Sequence, residues 1–210
     1  MNEMLARTPA DLETPKYDVL YKKSFWEVRK YEPFAVCSTT MTTAASPGGP
    51  VAFNALAGYI FGRNVEQEKM AMTTPVISSG DIAVGEAVAA AGGASKERKM
   101  SFVMPSRFWA PSTLAGAPKP MGDSGVVLEQ AGGGLIDETN NVAVLWFGGY
   151  ATKEEVLKRT NQLLDAIAMD SKWKVKVGVD SCLHYCTVPD FSVYCVDAIL
   201  SSFNLATAVI

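Results

Sequence analysis

The stretch SCLHYC holds His184, the single histidine among 210 residues. In an extended strand alternate side chains share a face, so Cys182, His184 and Cys186 would form a row of metal donors. At a rise of about 3.3 Å per residue, the two cysteines lie too far apart for a disulfide or one tetrahedral zinc without a bulge. Two readings stay open: His184 as a ligand to an iron or zinc ion, or buried thiols beside a hydrogen-bonded histidine. Cys37 and Cys195 read as small core residues.

A second group of soft side chains lies in KMAMTTPV, Lys69 to Val76. Read as a strand, it puts Met70 and Met72 on one face, where thioethers either fill a core or line a seat for a flat apolar ligand. Just upstream, VAFNALAGYIFG predicts a helix from Val51 to Phe61 with Gly62 as its stop. Phe53, Leu56, Ala57 and Ile60 fall on one stripe. Val51, Ala55, Tyr59 and Phe61 lie off it, and a helix that buries one side does not need this second apolar face. Ala57 and Gly58 would let a flat ring approach the backbone. Arg63 and Lys69 flank the turn after the helix.

The elements that must position these groups follow from periodicity. Trp26 and Val28, then Ala35 and Cys37, alternate on either side of Glu32-Pro33, as two strands or one bent strand. SPGGP is a turn, with Pro50 suited to a first helical turn. Residues 78–98, rich in Ala and Gly, read as a mobile insertion, followed by a strand in KMSFVMP. Phe108 and Trp109 give the Pro-rich segment after it something to bury, so an ordered loop is expected. In the second half, GVVLEQAGGG and NNVAVLWFGGYA read as strands. Thr152 caps a helix with Glu155 completing a capping box, and that helix buries Val156, Leu163, Leu164 and Ile167. WKVKVGVD and SCLHYCTVP read as two further strands.

Each half thus reads strand–helix–strand–strand. The expected fold is α+β, a distorted antiparallel β-barrel or saddle built from two pseudo-symmetric halves with a helix on each. The expected boundaries are a flexible extension at 1–15, one domain at 16–200 (halves about 16–105 and 125–200) and an apolar tail at 201–210. The groove between sheet and helix is the natural place for a ligand.

A formal charge of −3 with scattered basic residues argues against a nucleic-acid surface. No apolar run reaches the roughly 20 residues that span a bilayer, and the N-terminus lacks the features of a signal or transit peptide. Four cysteines in 210 residues point to a reducing compartment, so the expected location is cytoplasmic, with a plastid or organelle lipid surface as the alternative. Nucleophile elbow, phosphate loop and HExxH pattern are all missing, so no catalytic residue is assigned.

WEVRKYEPFAV, GYIFGRN, KMAMTTPV and WFGGYA, in that order, resemble the SOUL heme-binding protein family, from about Lys16 to about Pro189. The resemblance implies a two-half barrel and reversible binding of heme b or another porphyrin on an apolar surface beside the first helix. On this chain the implied seat comprises Phe53, Leu56, Ala57, Gly58, Ile60, Phe61, Met70 and Met72, with Arg63 and Lys69 at its rim and His184 as a candidate axial ligand. Pro50 and Gly58 stand where animal members carry basic residues, and Lys30 stands where one member has a histidine ligand. The leading expectation is therefore a soluble tetrapyrrole carrier, buffer or sensor with weak or no axial ligation. Its rivals are an interaction module that uses the apolar helix for dimerisation or partner docking, and a tetrapyrrole-modifying enzyme. The apolar tail leaves room for contact with a membrane or lipid surface.

Overall fold

The computed structural model describes residues 12–41, 48–79, 98–131, 141–148, 152–175, 182–188 and 191–202. For the last two spans the description concerns backbone and strand pairing. The Ala/Gly-rich stretch from 80 to 97 and the tail from 203 lie outside the described residues.

Among the described residues, ten strands form one antiparallel sheet: β1 (Tyr17–Lys22), β2 (Trp26–Tyr31), β3 (Phe34–Met41), β4 (Val76–Ser79), β5 (Arg98–Val103), β6 (Val127–Ala131), β7 (Asn141–Gly148), β8 (Trp173–Val175), β9 (Cys182–Val188) and β10 (Phe191–Ser202). Helix α1 (Gly48–Ile60) follows β3, a short helix α2 (Pro111–Leu114) lies in the Pro-rich loop, and α3 (Lys153–Ala168) follows β7. The pairing order is β1-β2-β7-β10-β9-β4-β5-β3-β6, with β8 beside β10.

The same scheme occurs twice. β3-α1-β4-β5 and β7-α3-β9-β10 each pair their three strands in the same relative order, and the two sets meet at β4–β9. The strand leading into each set crosses over: β2 pairs with β7, and β6 pairs with β3. The α+β class with antiparallel strands is as the periodicity predicts. The closed barrel is not found: among the described residues the path ends at β1 and β6, with no ladder between them.

Register shows which face carries the helices. Paired residues point to the same side of a sheet, and the row Leu145–Val196–Leu183–Ser78–Met100–Thr39 crosses from β7 to β3. Helix α3 packs on the β7 end of this face through Val156, Leu163 and Ile167 against Trp26, Val28, Ala143, Leu145 and Phe147. Helix α1 packs on the β3 end through Leu56, Tyr59 and Ile60 against Ala35, Cys37 and Met104. The opposite face buries Val36, Val103 and Val144 together with the Arg29 guanidinium, which bonds Glu27 at 2.6 Å and stacks between Tyr17 and Trp146. Burial on both faces explains why β7 reads as a nearly continuous apolar run and why β3 is buried along almost its whole length.

Two local expectations are met and one is met in part. Thr152 Oγ1 accepts the Glu155 N–H at 3.2 Å, while the Glu155 carboxylate turns outward to Arg159 instead of completing a box. The Pro-rich loop is ordered, with Phe108 buried and Trp109 Nε1 donating to Met104 O at 2.7 Å. Cys37 is fully buried. Two expectations are corrected. The second set is completed by β10, the longest strand, whereas β8 is a three-residue strand off the main path. KMAMTTPV is not a strand before Val76. Its amides serve other partners, Met70 N–H donating to Ile60 O and Thr74 N–H to Glu13 O, and Pro75 has no N–H to give a ladder.

Candidate functional site

Helix α1 begins at Gly48-Gly49-Pro50, and its buried stripe is Ala52, Leu56, Tyr59 and Ile60. That stripe is turned from the expected one: Tyr59 faces the core, and Phe53 lies at the helix margin, 47% exposed, its ring 5.2 Å from that of Phe102. The Tyr59 hydroxyl explains the turn. It donates to Pro118 O at 2.7 Å, anchoring the helix to the Pro-rich loop, and burial pushes its pKa well up.

The helix ends in a Schellman cap. Gly62, at φ 102°, donates to Tyr59 O, and Arg63 N–H reaches back to Gly58 O at 2.8 Å. Asn64, only 2% exposed, locks the turn that follows. Its Nδ2 donates to Tyr59 O at 3.0 Å and Glu68 O at 2.7 Å, and its Oδ1 accepts the Glu68 N–H at 2.9 Å. The glycine–x–asparagine element is thus a helix terminator with a three-bond bracket.

The expected seat residues separate into two sets. Leu56, Ile60 and Met70 are 0%, 4% and 5% exposed and lie beneath α1 in one core cluster with Met104 and Phe108. Phe53, Phe61, Arg63, Lys69 and Met72 are exposed, with Ala57 and Gly58 partly so. Met70 and Met72 therefore do not share a face: one is core, the other 57% exposed. Gly58 is not bare either, since a Cβ there would lie 3.1 Å from Arg63 Cδ.

The outer face of α1 comprises Pro50, Val51, Phe53, Asn54, Ala57, Gly58 and, at the cap, Phe61, and carries no charge. Val51 is 66% and Phe61 53% exposed. Val65, also exposed, extends the apolar surface past the cap, where its N–H donates to Lys119 O at 2.9 Å. Helix α3 supplies an internal comparison. It has the same place in the repeated scheme, yet its outer positions are Glu154, Lys158, Asn161 and Asp165. Packing on the sheet therefore does not demand an uncharged outer face.

Donors for an iron ion on the α1 side are few. Cys37 is buried and its thiol is pushed up to about 12 by desolvation, so no thiolate is available. Met70 is buried, whereas the Met72 thioether is 57% exposed. Among the described residues no three His, Cys, Asp or Glu side chains come together to hold a metal. His184 stands opposite Ile77 on one side and Cys195 on the other in the ladder; its side chain, like those of Cys182, Cys186 and Cys195, lies outside the described residues. The residues of the α1 face therefore fit a porphyrin held by apolar contact and by its carboxylates better than one held through iron.

A shallow groove of about 380 Å³ opens elsewhere, between Lys23–Trp26 and the end of α3 at Asp165, Met169 and Asp170. Its charges largely answer one another: Asp170 accepts the Tyr21 hydroxyl at 2.7 Å and lies 3.9 Å from Lys23.

No helix among the described residues is long and apolar enough to cross a membrane. A search of curated proteins finds no match. Among solved structures, the chain is similar to an uncharacterized conserved protein from Listeria innocua, with a TM-score of 0.52 and 10% identity over 91% of this chain and 94% of that one. At that identity the likeness concerns the fold. A profile of the SOUL heme-binding protein family matches residues 12–186, which include the capped helix, the asparagine bracket and strands β1 to β8. This chain belongs to the SOUL heme-binding protein family.

Proposed function

We propose that this protein binds heme or another porphyrin reversibly, as a cytoplasmic carrier, buffer or sensor, and that the ring lies flat on the outer face of α1. The observation that carries this reading is the contrast between the two helices: equivalent in the fold, charged outside on α3, uncharged with exposed Val51, Phe53 and Phe61 on α1. Covering those side chains with a porphyrin removes apolar surface from water and supplies the affinity. Axial ligation is weak or absent in this reading, because Cys37 and Met70 are buried. A buried, unpaired Cys37 fits a reducing compartment.

The experiment is a hemin titration by difference absorption on wild type, V51D/F61D and H184A. Saturable one-to-one binding that V51D/F61D loses and H184A keeps supports the helix-face site. A ligand spectrum lost in H184A alone moves the site to β9. If wild type shows no saturable Soret change, and self-associates in a concentration-dependent manner that V51D/F61D abolishes, the face is a docking surface for a second copy and the tetrapyrrole reading falls.

A further inference from the structure

Strand register sets the chemistry of the sheet face that carries no helix. His184 on β9 pairs directly with Cys195 on β10. The row they share runs Trp146–Cys195–His184–Ile77–Ser101–Ser38, from β7 to β3. Its described members lie opposite the helices: the Ser38 and Ser101 hydroxyls bond one another at 2.7 Å, and Trp146 stacks on Arg29. Trp146 and Ile77, which flank the His184–Cys195 pair, are half-buried rather than sealed in the core.

Leu183 pairs with Val196, so the next step of the same ladder brings Cys182 level with Asp197. The flanking strands agree, with Cys182 paired to Ser79 and Asp197 to Val144. Positions two apart on a strand share a face, so Cys182, His184, Cys195 and Asp197 occupy the corners of one ladder rectangle. Its sides are about 5 Å between opposite positions and about 7 Å along each strand. On β9 alone, Cys182 and Cys186 are separated by about 13 Å. β10 removes that difficulty by placing a second thiol directly across from the histidine. In the other direction the ladder sets Cys186 opposite Val193, which brings no donor.

We infer that Cys182, His184, Cys195 and Asp197 form a zinc site that joins β9 to β10 on the helix-free face. Two thiolates, an imidazole and a carboxylate make a donor set for a borderline-soft divalent ion in four-coordinate geometry, whereas magnesium and calcium take oxygen shells. β9 also pairs with β4, where the two repeated sets meet, so the ion pins the strands beside that junction. The site goes beyond the porphyrin reading and does not rest on it, since α1 lies on the other side of the sheet.

The test titrates the reduced full chain with cobalt(II) and then with zinc(II). One cobalt per chain should bind, with the visible bands of a four-coordinate ion and ultraviolet thiolate-to-cobalt charge transfer, and one equivalent of zinc should bleach both. Losing even an outer partner of a metal ligand costs about 10–100-fold in affinity. C182A, H184A and C195A should therefore each weaken binding by at least about 100-fold, while C186A binds as wild type. Since a ligand variant can also disturb the strand pair, X-ray absorption at the zinc edge of wild type supplies a second reading, with two sulfur and two nitrogen or oxygen neighbours expected. Hemin should leave the cobalt bands unchanged. No thiolate charge transfer, a zinc shell of nitrogen and oxygen alone, or loss of binding in C186A but not C182A overturns the site and leaves the porphyrin seat standing. Displacement of cobalt by hemin overturns it by giving His184 to the heme instead.

Discussion

Replacing Asn64 tests whether the glycine–x–asparagine element is architectural or makes ligand contact. Its side chain is 2% exposed and makes three hydrogen bonds, two donated and one accepted. At about 1 kcal/mol each, Asn64→Ala removes about 3 kcal/mol and leaves the Tyr59 and Glu68 backbone groups short of partners. For a chain of this size that lowers Tm by roughly 6–12 °C. Asn64→Asp should cost more at neutral pH, because a carboxylate oxygen would face two carbonyl oxygens where Nδ2 now donates. Its carboxyl pKa would be raised in the folded state. The sign follows: the extra penalty is absent below the unfolded pKa of about 3.9 and grows as pH rises above it, so the gap between N64D and N64A should narrow from pH 7 to pH 4. Urea unfolding of the three proteins at both pH values gives the numbers. An N64A protein within 0.5 kcal/mol of wild type, or a gap that widens on acidification, would refute the bracket.

Other outcomes follow from the same geometry. Gly62→Ala forces an L residue to φ 102° and should cost about 1–2 kcal/mol in thermal unfolding. Gly58→Ala should gain up to about 1 kcal/mol in thermal unfolding from helix propensity, provided the Arg63 stem moves aside for the new Cβ. Cys37 should resist iodoacetamide at pH 8 in the folded protein and react once urea is added, as peptide mapping can read, because it is fully buried and desolvation pushes its thiol pKa well up. The Ser106 backbone and hydroxyl hydrogen bonds hold the Glu13 carboxyl below its ordinary value. Its contribution is present above the unfolded pKa and lost as pH falls through the lower folded one, so E13Q should flatten part of the acid limb of a stability–pH curve.

Much of the frame was legible because local signals and packing agree. Thr152 caps α3, Gly62 stops α1, and the Val156–Leu163–Ile167 stripe is buried where period 3.6 places it. The failures have physical reasons. An amphipathic count treats Tyr59 as a surface residue, whereas its hydroxyl finds Pro118 O inside and turns the α1 stripe. A ladder would put Met72 on the face of Met70, yet the segment is pinned to Ile60 and Glu13. β10 escaped because a central strand paired on both edges shows no alternation, and Asp197 interrupts its apolar run. The crossing of β2 and β6 between the two sets depends on pairings distant in sequence, which periodicity does not encode. At the candidate site, the outward apolar residues of α1 could be seen in the sequence. The diversion of Glu66 and Glu68 to Lys119 and Arg107 could not, since it needs the Pro-rich loop folded against the cap.

The most direct measurement is a two-dimensional amide spectrum of isotopically labelled protein at substoichiometric hemin, whose paramagnetic iron broadens nearby resonances. Broadening centred on Val51 to Asn64, with Glu154 to Asp165 unaffected, is the expected result. Broadening centred on Cys182 to Cys186, or spread evenly over both helices, would contradict a porphyrin seated on the outer face of α1.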